Sequence, residues 1–345
     1  MRILVATAFT IPAYSGGWTT PLDLFGDEHS AMYVIRNWRA GSRTIEGVPC
    51  TGVGCTGPFT RQWKRGDRFR FALVQRLFRS AIRRSFDSFG ADFVLCLDPQ
   101  AGFAAMDTGL PYVMRIHSKL SQDRYSPAIV RLLENAVFST SCPSSEIEGV
   151  EVMPHNQDLS RFVYRESPAA ERALLLTSIN LHRDPDVFLE GVMLSRQMKG
   201  DIVGTGDERR RIASLCRKTG GRVRCLDPVP RLQVPELLSG YQIGVATVKP
   251  VVKAHYQMKV NDYMASGLFT LAMPWTHIAS EAPELVRVFG TAEELAGQLD
   301  YLQENWSGTV GTRRRARDWV LENYSVEIPR KRFRELLAEH FPGRV

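Results

Sequence analysis

Long apolar runs are missing from this chain of 345 residues. No stretch approaches the roughly 20 apolar residues that a membrane-spanning helix needs. Residues Met1 to Ala6 are typical of a buried strand and lack the charged segment of a secretory signal. We therefore expect a cytoplasmic protein. Low-complexity tracts and internal repeats are missing as well, which argues against linker-rich and repeat architectures.

Cysteine is sparse, with six residues in the whole chain. Cys50 and Cys55 are close in sequence, but no second pair and no histidine cluster completes a zinc site. Five of the six lie in or beside apolar or strand-like segments, which is typical of reduced structural thiols. These five are Cys50, Cys96, Cys142, Cys216 and Cys225. We predict no metal site from the sequence.

Acidic side chains are nearly absent from Arg61 to Arg84, where Asp67 is the single acid. The net charge of +7 favours anionic partners in general. Aromatic and aliphatic residues such as Trp63 and Phe69 alternate with the arginines, so this basic segment can meet an anionic membrane surface. A solvated helix that packs its apolar side on its own domain is the alternative. Nucleic acid is an unlikely partner because no module with stacking aromatics accompanies the charge.

Apolar residues make up 44% of the chain, enough for two cores. Strand-like segments alternate with helical ones in both halves, which predicts an α/β fold with two doubly wound parallel sheets. A connector near Asn156 separates the halves, since Pro154 and Asn156 suit a linker. The predicted strands are Ile3–Phe9, Phe93–Leu97, Tyr112–Ile116, Ala173–Thr177, Asp201–Val203, Arg222–Leu226, Ile243–Thr247 and Phe269–Ala272.

The stretch from Lys259 to Ala272 reads as a helix that runs into a strand, with Gly267 as the helix C-cap. This geometry would aim Asp262 at the open end of a parallel sheet, where ligands bind in open α/β folds. A carboxylate at that place can accept hydrogen bonds from the paired hydroxyls of a ribose. The stretch therefore suggests a nucleotide pocket, with ordinary helix-ending sequence as the alternative.

Several further segments occur in an order that resembles one known fold. Pro154, Asn156, Asp158 and Phe162 resemble a linker between domains, and Gly204-Thr205-Gly206 resembles a turn after a strand. The segments that complete the pattern are Pro228-Val229-Pro230, Pro235 to Leu238, Lys259 to Ala272, Thr291 to Ala296 and Glu322 to Ser325. Together they resemble a GT-B glycosyltransferase of the retaining family four.

This resemblance implies two Rossmann-like domains that face a central cleft. Residues 1–155 would form an N-terminal acceptor-side domain, and residues 156–325 would form a C-terminal nucleotide-sugar-binding domain. Residues 326–345 would form a helix that returns to the N-terminal domain. The implied reaction moves a sugar from a nucleotide-sugar to an acceptor with retention of configuration. The acceptor is open between a lipid-linked and a glycan molecule, and a lipid-linked acceptor would suit a peripheral position at the inner membrane face.

The resemblance also assigns site residues. The implied catalytic residues are His117, Arg183 and Lys259. The implied donor-binding residues are Gly16, Gly17, Gly204, Gly206, Tyr256, Gln257, Met258 and Asp262. Gly16 and Gly17 are expected in a loop after the first strand. The resemblance implies neither a metal nor a cofactor, because side chains would neutralise the diphosphate.

Two departures keep other functions open. Ala254 stands where the family often has a first glutamate, and Ser178 lies where its phosphate-binding arginine is expected. Arg183 occupies the place of a lysine; it can bind a diphosphate in bidentate fashion or be a surface residue at a helix start. The alternatives are a sugar-nucleotide epimerase on the same fold and a nucleotide-sugar or lipid-binding protein without catalysis.

Overall fold

The computed structural model describes residues 1–7, 16–25, 28–37, 40–45, 47–54, 68–116, 127–141, 150–153, 157–166, 171–180, 182–250 and 257–344. The chain divides into two compact units. Unit 1 comprises Met1–Asn156 and Val326–Val345, and unit 2 comprises Gln157–Ser325. Within the described residues, no helix is both long and apolar enough to cross a membrane.

Strands and helices alternate along both units. From the amino terminus, unit 1 contains β1 (Arg2–Thr7), α1 (Gly16–Phe25), β2 (Ser30–Asn37), β3 (Gly41–Ile45), β4 (Val48–Gly54), α2 (Arg68–Phe89), β5 (Phe93–Cys96), α3 (Pro99–Met106), β6 (Tyr112–Ile116), α4 (Pro127–Glu134), β7 (Ser139–Ser141) and β8 (Glu151–Val152). Unit 2 contains β9 (Arg172–Leu176), α5 (Pro185–Leu194), β10 (Lys199–Val203), α6 (Arg209–Arg217), β11 (Val223–Leu226), α7 (Val234–Leu238), β12 (Ile243–Ala246), α8 (Met258–Ala265), β13 (Phe269–Ala272), α9 (His277–Glu281), β14 (Arg287–Val288), α10 (Ala292–Glu304) and α11 (Val310–Tyr324). The last helix, α12 (Glu327–His340), belongs to unit 1.

The sheet of unit 1 has the described strand order β3-β4-β2-β1-β5-β6-β7-β8. All neighbouring pairs are parallel except β3 and β4, which form an antiparallel hairpin at the edge. Alternate residues of each strand point to opposite faces, so that Ile3 and Val5 pack with α12 while Leu4 and Ala6 pack with α2 and α3. Phe333 and Leu337 anchor α12 in this core. Both faces of the sheet are therefore buried.

The sheet of unit 2 is fully parallel, in the order β11-β10-β9-β12-β13-β14. The chain first builds outward from β9 to β10 and β11, and then returns to place β12 on the other side of β9. The loops that leave β9 and β12 therefore diverge in opposite directions at one edge. Such a reversal opens a crevice at the carboxyl ends of the strands, where open α/β sheets bind ligands.

The sequence-based fold class is confirmed, since each predicted strand coincides with an observed one to within two residues over the described part of the chain. Ala8 and Phe9, the last two residues of the first predicted strand, lie outside the described residues. One detail is wrong: Gly16 and Gly17 are the first residues of α1 and not part of a loop. Glycine is a poor helix former inside a helix, but the first turn has few intrahelical bonds to lose. The strands β2, β3, β4, β7, β8 and β14 were not predicted. β3, β7, β8 and β14 are too short to carry a period of their own, and β4 contains Pro49 and Gly52, residue types that are depleted in strands.

Gly204 and Gly206 follow β10 with positive φ angles of 149° and 151°. They lie against the backbone that continues β9, where the Ile179 N–H donates to the Thr205 carbonyl over 2.8 Å. A Cβ atom at Gly204 would overlap the Thr177 carbonyl oxygen, and one at Gly206 would overlap the Ile179 carbonyl oxygen. Close backbone packing therefore requires glycine at both positions, whatever else the turn does.

We expect Gly204→Ala to lower the free energy of unfolding by about 3 kcal/mol or more, because both the φ angle and the space exclude a side chain. The matched control is Gly297→Ala in α10, where a Cβ would meet nothing within 4 Å. That change should raise stability by about 0.5–1 kcal/mol through helix propensity. Urea unfolding monitored by circular dichroism measures both variants. Equal stability of the two would contradict the packing argument.

Candidate functional site

The crevice of unit 2 is bordered by the loop after β9, the turn after β10 and the amino terminus of α8. In a doubly wound sheet these parts converge at the carboxyl edge. The helix α8 follows β12, so its amino-terminal N–H groups and the positive end of its dipole are at the same edge. The polar side chains at this edge define the candidate site.

Arg183 lies in the loop between β9 and α5. The neighbouring strand end fixes the loop, because the Lys249 N–H donates to the His182 carbonyl over 2.9 Å and the Thr247 hydroxyl donates to the Arg183 carbonyl. The Arg183 side chain is half-buried, and its Nη1 is buried without a hydrogen-bond partner. Burial lowers the pKa of this guanidinium from its ordinary value. The loop is thus held by backbone bonds, while Nη1 of Arg183 has no acceptor among the residues that the structure describes.

Lys259 lies in the first turn of α8, and its Nζ is also buried without a partner. Burial holds the pKa of Lys259 well below its usual range, and the positive charge of Arg183 lowers it further. The charge of Arg183 and the burial of Lys259 therefore act in the same direction, against protonation of the amine. Two buried donors that face no acceptor are costly to the fold, and an anion bound between them would remove that cost.

Gln257 is the N-cap residue of α8, yet its side chain makes no capping bond. Only 3% of Gln257 is exposed, and both its Oε1 and its Nε2 lack a partner. Its backbone N–H donates to Nδ1 of His277 over 3.3 Å, which requires that ring nitrogen to be an acceptor. His277 Nε2 then carries the proton and faces Oδ1 of Asn261 at 3.3 Å. A buried amide is thus available at the helix terminus.

Asp262 is buried in the same helix, but its carboxylate is occupied. Nη2 of Arg231 donates to Oδ1 over 2.9 Å, Nη1 of Arg231 donates to Oδ2, and Nε2 of Gln157 also donates to Oδ1. The Arg231 side chain is 10% exposed. The Arg231–Asp262 ion pair connects α8 to the short 3-10 helix Arg231–Gln233. The Gln157 bond connects α8 to the first residue of unit 2. Three donors from Arg231 and Gln157 already occupy this carboxylate, so a ribose hydroxyl could donate only to the acceptor position that they leave open.

A second buried carboxylate shows that unit 2 ordinarily pairs its internal charges. Asp201 on β10 is fully buried and accepts from Arg172 over 2.6 Å and from Arg224 over 2.7 and 2.8 Å. The Tyr241 hydroxyl completes its shell over 2.8 Å. Arg183 and Lys259 differ from these paired charges, because the described residues provide no acceptor for Arg183 Nη1 or for Lys259 Nζ.

The structure brings together part of the predicted residue set. Arg183, Gln257, Met258 and Lys259 lie at the edge around the amino terminus of α8, and Gly204 with Gly206 lies at the same edge of the sheet. Gly16 and Gly17 belong to unit 1. His117 and Tyr256, and with them Ala254, lie outside the described residues.

Sequence reasoning missed Gln157, Arg231 and His277, which fix α8 in place. Gln157 is separated from Asp262 by 105 positions in the chain, so no spacing could have revealed their contact. Arg231 lies between two segments that resemble family motifs, and a lone arginine among prolines gives no signal. His277 is the first residue of α9, and its ring contacts the N-cap of α8 only because the fold brings these two helices together.

The sequence matches no protein-family model, and no curated protein matches it. Solved structures do match over nearly the whole chain. HepE from Anabaena, in complex with UDP and glucose, shares 16% identity and a TM-score of 0.70, covering 98% of this chain and 100% of that one. Sucrose-phosphate synthase from Thermosynechococcus elongatus shares 14% identity and a TM-score of 0.73, with 99% of each chain covered. A glycosyltransferase from Rickettsia africae shares 11% identity and a TM-score of 0.70 over 99% of each chain.

These similarities assign the chain to a fold. It has the GT-B fold of glycosyltransferases, with a Rossmann-like sheet in each unit. The predicted GT-B architecture is thereby confirmed at the level of the fold. At these sequence identities the activity has to be argued from the site itself.

Replacing Lys259, whose buried Nζ has no acceptor among the described residues, by an apolar residue should stabilise the unliganded protein. We expect Lys259→Met to raise the free energy of unfolding by about 1–3 kcal/mol near neutral pH, because the buried amine no longer needs desolvation. Since burial lowers the folded pKa of Lys259, the unfolded state binds the additional proton and wild-type stability rises with pH. The advantage of the variant should therefore shrink as pH approaches the ordinary lysine pKa of about 10.4.

Thermal and urea unfolding at several pH values measure this difference. Lys218→Met, at an exposed lysine of the same unit, is the control and should change stability by less than about 0.5–1 kcal/mol. A destabilised Lys259→Met protein would show that the amine has a structural partner.

Proposed function

We propose that this chain is a glycosyltransferase that moves a sugar from a nucleotide-sugar donor to an acceptor. One observation carries the proposal: at the carboxyl edge of the unit 2 sheet, Arg183 Nη1, Lys259 Nζ and Gln257 Nε2 are buried donors for which the described residues provide no acceptor. Buried polar groups in folded proteins are almost always satisfied. A diphosphate would supply acceptors to both cations and to the N–H groups at the start of α8.

This arrangement suits sugar transfer chemically. When the bond between the sugar and the diphosphate breaks, negative charge grows on the departing phosphate oxygens. Fixed donors that await this charge in a site of low polarity lower the barrier, and removing one such donor typically costs about 10²–10³ in rate. We assign this role to Arg183 and Lys259, with Met258 and Gln257 contributing the helix terminus. The guanidinium can hold two phosphate oxygens at once.

The solved structures support the donor class. HepE of the same fold is described in complex with UDP and with UDP-glucose. By this similarity we propose that the present chain also takes a nucleotide-sugar, with its base and sugar left open. Asp262 would meet the ribose beside Arg231, and Gly204 and Gly206 would let the backbone approach the ligand.

The finer features of the reaction rest on the resemblance in sequence. Retention of configuration, a role for His117 in orienting substrate, sugar contacts at Tyr256 and ligand contacts at Gly16 and Gly17 stay predictions. So does independence of metal and cofactor. Among the residues that the structure describes, no three His, Cys, Asp or Glu side chains are placed to hold one metal ion.

We also propose a peripheral contact with an anionic membrane surface. In the described part of the basic segment, Arg76, Arg79, Arg83 and Arg84 of α2 are exposed, as is Leu77. Phe78 instead packs in the core of unit 1. This face can attract anionic headgroups at about 1 kcal/mol per arginine near the surface. It would bring the enzyme to a lipid-linked acceptor.

A thermal-shift panel of UDP, GDP, ADP, TDP and their common sugar conjugates tests the donor site. A ligand that binds only the folded protein at 100 times its Kd stabilises it by about 2.7 kcal/mol, so one base should raise Tm clearly. Arg183→Met and Lys259→Met should lose most of this shift, because they remove the phosphate donors. Arg210→Met, at an exposed arginine of α6, should keep it.

The outcomes separate the candidate functions. No shift with any nucleotide, or a full shift in both Met variants, would overturn the donor site. With a binding nucleotide-sugar in hand, release of nucleoside diphosphate that requires an acceptor supports transfer. Turnover that changes only the sugar stereochemistry would indicate an epimerase, and stable binding without turnover over a broad acceptor set would indicate a binding protein.

A further inference from the structure

The Asp262 carboxylate has little acceptor capacity left for a ligand, although it lies on the helix that borders the candidate site. Its Oδ1 accepts from Nη2 of Arg231 over 2.9 Å and from Nε2 of Gln157, and its Oδ2 accepts from Nη1 of Arg231. A carboxylate has about four acceptor positions, two on each oxygen. The protein itself therefore fills all of them except one, which belongs to Oδ2.

The guanidinium of Arg231 is held in place independently of any ligand. Its central carbon lies 5.5 Å from the centre of the Phe162 ring, and its side chain is largely buried. Asp262 is 1% exposed, so without Arg231 its carboxylate would lose the cation that faces it inside the protein. Removing one partner of a buried ion pair is strongly destabilising, and a neutral hydroxyl in its place would return less than this loss costs.

The bond from Gln157 is equally built into the fold. Gln157 is fully buried, and its Nε2 donates to the carbonyl of Met258 over 3.1 Å as well as to Asp262. Its Oε1 accepts from Nδ2 of Asn261 over 3.5 Å. The amide cannot turn away from Asp262 without giving up these bonds to α8. An incoming hydroxyl therefore meets the open position of Oδ2 and does not replace an internal donor.

The occupied carboxylate limits how a ribose can bind. Ribose carries neighbouring 2′- and 3′-hydroxyls, and an unoccupied carboxylate could accept from both, one on each oxygen. We propose that this donor site binds one of the two ribose hydroxyls through Asp262 and leaves the other without an acceptor there, so that its substrate class includes sugar nucleotides whose nucleoside lacks that second hydroxyl. This inference rests on the proposed function, because it needs the ribose of a bound nucleotide to lie at Asp262.

Deoxynucleotides test this inference by calorimetry. The probes are the nucleoside diphosphate of the base that raises Tm most in the thermal-shift panel, in its ribose, 2′-deoxy and 3′-deoxy forms. One deoxy form should bind within about twofold of the ribonucleotide, because its missing hydroxyl has no acceptor on Asp262 in any case. The other should bind about tenfold or more weakly, since it loses a hydrogen bond to a charged group.

Arg231→Lys tests whether the internal donors set this tolerance. Lysine keeps the positive charge but lacks the planar fork, so one of the two positions that Arg231 fills becomes open. The deoxy form that the wild-type protein tolerates should then bind about threefold or more weakly than the ribonucleotide. Because each ratio of affinities is measured on one protein, a lower stability of the variant does not alter it.

Arg211→Lys is the matched control. Arg211 holds both oxygens of the half-exposed Asp186 by the same kind of fork, with both bonds at 2.7 Å. This change should leave the ratio of the affinities for the ribose and deoxy forms as it is in the wild-type protein.

Three results would overturn the inference. If both deoxy forms bind about tenfold or more weakly, Asp262 binds the pair of hydroxyls, and if neither does, it binds none. A deoxy form that stays tolerated in Arg231→Lys would show that the fork does not limit the site. In each of these cases the nucleotide still binds and the donor site stands. If the unaltered protein binds no nucleotide, the proposed function fails, and this inference with it.

Discussion

Two buried basic groups, Arg183 Nη1 and Lys259 Nζ, find no acceptor among the described residues, and this is the constraint on which the interpretation depends. Desolvating a charged group is costly, and folded proteins normally compensate this cost by pairing the charge. Unit 2 does so for Asp201 and Asp262, each surrounded by arginine and further donors. At Arg183 and Lys259 the compensation is missing. A protein can keep such a feature if the missing acceptor arrives with a ligand, as a trade of stability for function.

The surrounding scaffold keeps the two cations from relaxing toward solvent. The reversal of strand order between β9 and β12 opens the crevice between their loops, and the Lys249 and Thr247 bonds fix the Arg183 loop. On the other side of the crevice, His277 accepts a hydrogen bond from the N–H of Gln257, the N-cap of α8. The Arg231–Asp262 ion pair fixes the middle of that helix. The positions of the donors are thus set before a ligand arrives, which is what electrostatic stabilisation of a leaving group requires.

The sequence predicted those structural features that depend on residues close together in the chain. Strands such as Tyr112–Ile116 and Phe269–Ala272 are mostly apolar, with one polar residue each, and they were predicted with their observed bounds. The Gly267 helix end and the position of Lys259 in α8 follow from local rules as well. The partners of Asp262 do not, because Gln157 and Arg231 reach it only through the fold. The left-handed backbone of Asp184, with φ 48° and ψ 54°, is equally invisible in the sequence, since an Asp before Pro185 is an ordinary helix start.

Proton uptake on ligand binding tests the central claim most directly. A nucleotide-sugar has no phosphate proton that titrates near neutral pH, so any proton taken up or released on binding must titrate on the protein. Binding next to Lys259 should raise its lowered pKa and draw a proton from the buffer at mildly alkaline pH. Calorimetry in two buffers of different ionisation enthalpy should show this uptake in the wild-type protein and its loss in Lys259→Met. Binding with no proton uptake, or with the same uptake in both proteins, would show that the diphosphate does not meet the buried lysine.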